Sequence, residues 1–225
     1  MPTASSRLSR DSWIDAALEL LLQSGPDAVA VQPIARRLGT TKGSFYWHFS
    51  SRDDLLRATL AGSLVAALAP EAVLVPMDGF HLAAAQLRRL GRLDRKGAPD
   101  TFDAAGYLAL LHRLRDRAED VVYAPEFRRE IEEPIAGAIA VPREVPLAIT
   151  EGNYLLYWND VRELLDEVWF VDLDEPTRLA RLIERHMAYG RTRAEAEQRT
   201  YGSDQRNAEL IMATRMNADL IVGPR

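Results

Sequence analysis

The sequence predicts two folds in succession. Residues 1–58 are expected to form an all-α bundle of short helices, and residues 59–225 an α/β domain with a parallel sheet layered between helices. Three observations carry that prediction. Apolar residues in the first part recur at helical spacing between glycine and proline stops. After Pro70, short valine-rich runs alternate with helical stretches. Charge divides along the same line: residues 1–58 hold seven Lys/Arg against six Asp/Glu, and residues 59–225 hold 21 against 27.

From Asp11 to Ser24, the residues Trp13, Ala16, Ala17, Leu20 and Leu21 recur at i, i+3, i+4, i+7 and i+8, one face of an amphipathic helix. Gly25-Pro26 stops it. A shorter helix is predicted around Val31 to Leu38, with Ile34, Ala35 and Leu38 inward and Gly39 at its end. Thr40 or Thr41 caps a third short helix carrying Lys42 to His48. Ser50-Ser51 breaks the chain again, and a fourth helix opens ahead of Asp53 and Asp54 and runs through Leu55, Leu56 and Leu60.

Beyond Pro70, Ala72 to Met77 is a valine-rich apolar run of the kind that forms a strand buried on both faces. Leu147 to Thr150, Val168 to Val171 and Leu220 to Val222 repeat the pattern. Helical stretches separate them near Tyr107 to Glu119, Val161 to Leu165, Glu175 to Tyr189 and Arg193 to Met216. Strands alternating with helices specify parallel pairing. The junction falls within residues 58–70, where no Gly/Ser linker intervenes and the two patterns are spliced inside one helix.

Composition bounds the function. With 47% hydrophobic and 27% charged residues the chain has apolar material for a core. No run approaches the roughly 18 uninterrupted apolar residues of a membrane span. The N-terminal MPTASSRLSRDSW has no apolar signal core, so a cytoplasmic protein without membrane partners is expected. Zero cysteines exclude disulfides, thiolate metal sites and cysteine nucleophiles. The net charge of −5 argues against a uniformly nucleic-acid-binding surface, leaving only the head for phosphates.

Within the head, VQPIARRLGTTKGSFYWHFSSRDDLL joins a short helix, a glycine turn and a second short helix, a geometry that lets the second helix enter a major groove. Over residues 10–60 this resembles the DNA-binding head of the TetR family of transcriptional regulators. The resemblance rests on Ile34-Ala35 with Leu38-Gly39, on TKGSFYWHF, and on Arg52 with Leu55. Thr40, Thr41, Lys42 and Ser44 offer short hydroxyls and an amine suited to base edges and phosphates. The resemblance implies phosphate contacts at Tyr46, His48 and Arg52 and inward packing of Phe49, while Trp47 stays open between the two roles. Taken alone, the aromatic run Phe45 to Phe49 also reads as a small core. Duplex DNA is the implied partner, with a homodimer and a small-molecule ligand as the family's usual companions. Nothing after residue 60 looks like that family's all-helical dimerisation domain.

Residues 59–222 carry VPMDGFH at a strand end, DRKGAPDTFD, YAPEFRREIEEPIAGAIAV, LAITEGNYLL, VWFVDLDEPTRLARLIERH and GSDQRNAELIMATRMNADLIV. Together these resemble the small-molecule kinases of the P-loop superfamily, the group of uridine kinase, bacterial pantothenate kinase and phosphoribulokinase. The nucleoside/nucleotide kinase-like proteins of sugar-transport operons match best. An aspartate at a strand's carboxyl end, Asp78, can accept a proton from a substrate hydroxyl, and Glu151 ending another strand can hold magnesium. The resemblance implies Asp78 as catalytic base and substrate contacts at His81, Arg95, Lys96 and Arg128. It also places Arg178, Arg181 and Arg185 on a helix leading into a lid over the transferred phosphate. These arginines recur at i, i+3 and i+7, on one helix face. Without the resemblance, Asp78 is an ordinary strand-end acid and the arginines a solvated face. Asp172 and Asp174 read as caps of the following helix.

A phosphate loop needs G-x-x-x-x-G-K-[ST] between a strand and a helix, so that backbone amides surround the phosphates and the lysine neutralises their charge. No such string occurs, and the only lysines are Lys42 and Lys96. The expected body is therefore a three-layer α/β domain of P-loop-kinase type missing its first strand and phosphate loop. Loss of that central strand leaves two inner edges unpaired. ATP and Mg2+ are implied only if the chain transfers phosphate, and no other metal is expected. The leading expectation is a TetR-type regulator with a kinase-like, ligand-sensing remnant. Its alternatives are an ATP-dependent kinase of a sugar, nucleoside or pantothenate-like alcohol, and a mosaic chain with neither function complete.

Overall fold

The computed structural model describes residues 9–24, 29–46, 48–49, 55, 58–59, 61–62, 71–128, 130–188 and 190–223. The chain divides into two compact units, Met1–Ser63 and Leu64–Arg225. Each has its own apolar core.

In the first unit, helices α1 (Arg10–Ser24), α2 (Val31–Arg37) and α3 (Lys42–Tyr46) surround one aromatic centre. Trp13 meets Phe45 edge-on at 5.2 Å, and Phe45 stacks on Phe49 at 5.5 Å. Val29, Ile34, Ala35, Leu55 and Ala58 complete the core. The helical period of Trp13, Ala16 and Ala17 predicts this burial, and all three are buried. Burying each phenylalanine contributes about 2 kcal/mol, which a small domain cannot spare. Gly39 ends α2 in the left-handed conformation, φ 65°, and the Thr40 N–H bonds back to the Ala35 carbonyl at 2.9 Å. Leu55, Ala58, Thr59, Ala61 and Gly62 are helical. Leu56 and Leu60 of the expected fourth helix lie outside the described residues.

The second unit opens with β1 (Ala72–Leu74), a 3-10 turn (Met77–Phe80), α4 (Ala84–Arg89) and α5 (Ala104–Asp116). A hairpin follows, β2 (Val121–Arg128) and β3 (Glu133–Pro142). After it come β4 (Leu147–Ile149), α6 (Asn159–Arg162), β5 (Trp169–Val171) and α7 (Glu175–Ala188). The chain ends through α8 (Arg193–Arg199), a π turn (Thr200–Asp204), α9 (Gln205–Ala213) and β6 (Leu220–Val222). Helix α5 buries Tyr107, Leu110 and Leu111 against Met77, Tyr154 and Val161 on one side and Val75, Val122 and Val141 on the other.

The expected parallel sheet is present as two separate parallel pairs, β1 with β4 and β5 with β6. Among the described residues no strand joins β4 to β5. Strands that would be buried on both faces in a continuous sheet are open here. Leu147, Trp169, Val171, Leu220, Ile221 and Val222 are all exposed.

Three differences from the expected elements have physical causes. Ala72 to Met77 was expected as one strand, but regular pairing stops at Leu74, while the Val75 and Met77 N–H groups still bond the Ile149 and Glu151 carbonyls. Pro76 and the tight turn at Met77–Phe80 end it. The antiparallel hairpin had no sequence expectation, because Pro125, Pro134 and Gly137 interrupt its pattern. Its register shifts between Ala124 and Glu126, so Pro125 sits in the irregularity and owes no ladder hydrogen bond. The expected single helix from Arg193 to Met216 is broken by the π turn and ends in a 3-10 turn, Arg215–Asn217.

Candidate functional site

In the head, α3 rests on Phe45 and Phe49, both fully buried, which leaves the start of the helix on the surface. Thr41 and Lys42 are exposed, while Thr40, Ser44, Tyr46 and His48 are half-buried. The Tyr46 ring packs edge-on to Phe45 at 4.9 Å, so its ring belongs partly to the core. Trp47 and Arg52, expected at the DNA surface, lie outside the described residues. Arg10 was not singled out in the sequence, yet its guanidinium lies 5.0 Å from the Phe49 ring centre. Among the other basic residues, Arg36 and Arg37 occupy the last turn of α2, and Arg37 pairs with Glu19 of α1.

The second cluster forms where β1 and β4 end. The Met77 N–H donates to the Glu151 carbonyl at 2.9 Å, so Asp78 and Glu151 leave neighbouring strands side by side. Each acid precedes a glycine that nothing larger replaces. A Cβ on Gly79 would stand 2.3 Å from the Pro125 carbonyl oxygen, and one on Gly152 2.5 Å from the Met77 Cβ. These close approaches hold the two turns against the hairpin and against each other.

His81 Nδ1 lies 2.8 Å from the Asp78 carbonyl oxygen and 4.0 Å from its Oδ1. A carbonyl only accepts, so Nδ1 carries a proton. The imidazole sits between Phe102, 4.0 Å away, and Phe127, 4.7 Å away. Lys96 Nζ lies 5.0 Å from the Phe127 ring and donates to the Glu132 carbonyl. The Tyr154 hydroxyl donates to the Gly97 carbonyl at 2.6 Å, and its pKa is pushed up by burial first and by the Asp78 charge second. Arg95 pairs with Asp100 at 2.8 Å and Arg128 with Glu126 at 2.7 Å.

Asp78, His81 and Lys96 thus share one polar and aromatic cluster. Arg95 and Arg128 stand on its rim, held by acids. Phe102, Phe127 and Tyr154 were not identified as site residues, because their ring contacts join positions 21 to 52 apart. Behind the acids, Thr150 donates to the Val75 carbonyl at 2.7 Å, so the Tyr107 hydroxyl donates to Thr150 at 2.6 Å. Burial raises the Tyr107 pKa, and this phenol remains a donor.

Arg178, Arg181 and Arg185 all fall on α7 and are half-buried, unlike an ordinary solvated face. Arg178 donates to Gln205 at 2.5 Å and to Glu175 at 3.4 Å. Asp174 caps α7 through the Thr177 N–H, as expected, which lowers its pKa. Asp172 was also expected to cap α7, but it accepts from the Leu173 N–H and from Arg215 instead.

The side chains of the described residues do not match ATP–Mg2+. Lys42 belongs to α3 of the other unit, and Lys96 is engaged at the Glu132 carbonyl. Among the described residues no group of three His, Asp or Glu is arranged to hold a metal ion. No helix of the described residues is long and apolar enough to cross a membrane.

Residues 14–59 match the family model of bacterial regulatory proteins of the tetR family. Tetracycline repressor protein class D of Escherichia coli is 43% identical over 53 residues, 24% of this chain and 24% of the repressor. An ATP-dependent kinase-like protein of Aspergillus versicolor is 37% identical over 153 residues, 62% of this chain and 89% of that protein. A crystal structure from Silicibacter sp. TM1040, assigned as a fructose transport system kinase, is 40% identical with a TM-score of 0.67. The match covers 73% of this chain and 82% of that one.

Proposed function

Because the chain belongs to the ATP-dependent kinase-like family through its second unit and carries a TetR-family head on its first, we propose that it is a DNA-binding regulator whose body senses a small hydroxylated molecule. The observation that carries this reading is α3, with Thr41 and Lys42 exposed above a fully buried Phe45–Phe49 stack. A recognition helix must hold its base-facing residues on a rigid support, and the aromatic core supplies one. In the cytoplasm a homodimer would set two such helices on neighbouring half-sites. That arrangement supplies affinity beyond what one small head reaches.

The body supports the sensing half of the proposal. Asp78 is an acceptor for a ligand hydroxyl, and the tilted rings of Phe102 and Phe127 against His81 give an apolar wall beside it. Mobility shift and footprinting at low salt, with the purified full chain on duplex DNA, test the head. Retarded and protected duplex is expected, and the absence of any complex removes the proposal. The relatives of the body favour a second reading, phosphorylation of such an alcohol by ATP. Isothermal titration with ATP–Mg2+ separates the two: no heat of binding supports sensing, and saturable binding with phosphate transfer supports the kinase.

A further inference from the structure

The most buried histidine among the described residues lies outside the Asp78 cluster. His186 is 5% exposed, near the end of α7, and its Nε2 stands 2.5 Å from Asp204 Oδ2. Asp204 is the last residue of the π turn Thr200–Asp204, which interrupts an otherwise continuous helical run from Arg193 to Ala213. A π turn inserts an extra residue and re-aims the side chains beyond it, and such turns concentrate at functional sites.

Here the re-aimed residues are consecutive, and both grip α7. Asp204 holds His186, while Gln205 accepts from Arg178 at 2.5 Å and donates to Glu175 at 3.0 Å. Arg178 and His186 are eight residues apart, about 12 Å along the helix axis. A helix held at one point can still turn about that point; one held at both ends of two turns cannot. Of the half-buried Arg178 guanidinium, Nη1 is buried with no hydrogen-bond partner among the described residues. A desolvated donor left unmatched is costly, so its placement needs a rigid cause.

We infer that His186 and Asp204 are positioning residues, whose bond across the π turn fixes the rotation of α7 and thereby the placement of the Arg178 guanidinium. This assignment concerns the geometry of α7 and holds whether the body senses a ligand or phosphorylates one.

Arginine side-chain NMR on the full chain tests it, because solvent exchange of the Arg178 Nε–H reports placement without any ligand. In Asp204→Ala and in His186→Ala, that exchange should accelerate by roughly tenfold or more through local opening. In Asp204→Asn, which keeps an oxygen acceptor, it should stay within about twofold of the parent. Thr192→Ala, at the capping box of α8, serves as a destabilised control that leaves the bond intact. Unchanged exchange in both alanine variants, or equal acceleration in the control, overturns the assignment. Should the alanine variants not fold, the unmodified chain decides. A slowly exchanging His186 ring N–H supports the bond, and a ring exchanging like an exposed imidazole refutes it.

Discussion

Single residues decide whether the body's acids meet. Asp78 and Glu151 come together because Gly79 and Gly152 let their turns touch backbone and Met77 more closely than any side chain permits. Gly79→Ala drives a methyl into the Pro125 carbonyl, and overpacking of that kind costs about 1–3 kcal/mol. Urea denaturation of the body should record this loss, with weakened ligand binding at the Asp78 cluster. A variant as stable as the parent would show that the contact relaxes freely. Asp78 itself was legible as an acid closing a valine-rich run. The wall around it was not, since Phe102, Phe127 and Tyr154 converge only through folding. Asp174 gives a pH-dependent case. The Thr177 N–H lowers its pKa in the folded chain, so the unfolded chain binds the proton more readily. The cap's contribution is present above the unfolded value near 4 and is lost as pH falls through the lower folded value. Protection of the Thr177 amide should be full at about pH 6 and reduced at about pH 2, below the unfolded value, and Asp174→Asn should abolish the dependence. Equal protection at both pH values in the parent would contradict the cap.

At the scale of elements, local pattern and long-range pairing part company. Helices α1 to α3 were legible because apolar spacing, Gly39 and the Gly25-Pro26 stop all describe local geometry. The hairpin β2–β3 escaped notice because its prolines and Gly137 carry turn signals, while its register is set across the sheet. The π turn was equally hidden, being a change in hydrogen-bond register inside a helical pattern. The parallel pairs β1–β4 and β5–β6 carry a further consequence. Edges with no partner strand among the described residues, lined by exposed Val171, Leu220 and Ile221, invite association with other strands. Leu220→Lys places a charge on that surface, which native sheets use to discourage pairing. It should raise the concentration at which the full chain aggregates, with a stability change within about 0.5 kcal/mol. Light scattering that shows no shift would place the association elsewhere.

For the whole molecule, two cores imply two separable losses. Phe45 touches Trp13, Tyr46 and Phe49, so Phe45→Ala removes the centre of the head at a cost of about 3–5 kcal/mol. DNA binding should disappear while the body's near-ultraviolet circular dichroism, from Tyr107, Tyr154 and Trp158, persists. Loss of both signals together would mean that the units fold as one. The sequence changes texture after Pro70, because helical and strand periods differ over a few residues, while the compact units divide at Ser63 and Leu64. What the sequence left open was which of the strands after Pro70 would pair with which. They do so in twos, β1 with β4 and β5 with β6, rather than as a continuous sheet.

The central claim is that this chain grips duplex DNA through the outer residues of α3. Fluorescence anisotropy of the full chain on duplex DNA across a salt series tests it most directly, in parent and Lys42→Ala. The parent should bind tightly at about 50 mM salt and weaken steeply, and the variant's log–log salt slope should be shallower by about 0.9 for the lost phosphate contact. Absence of binding by the parent at low salt, or a slope unchanged in Lys42→Ala, would contradict the account.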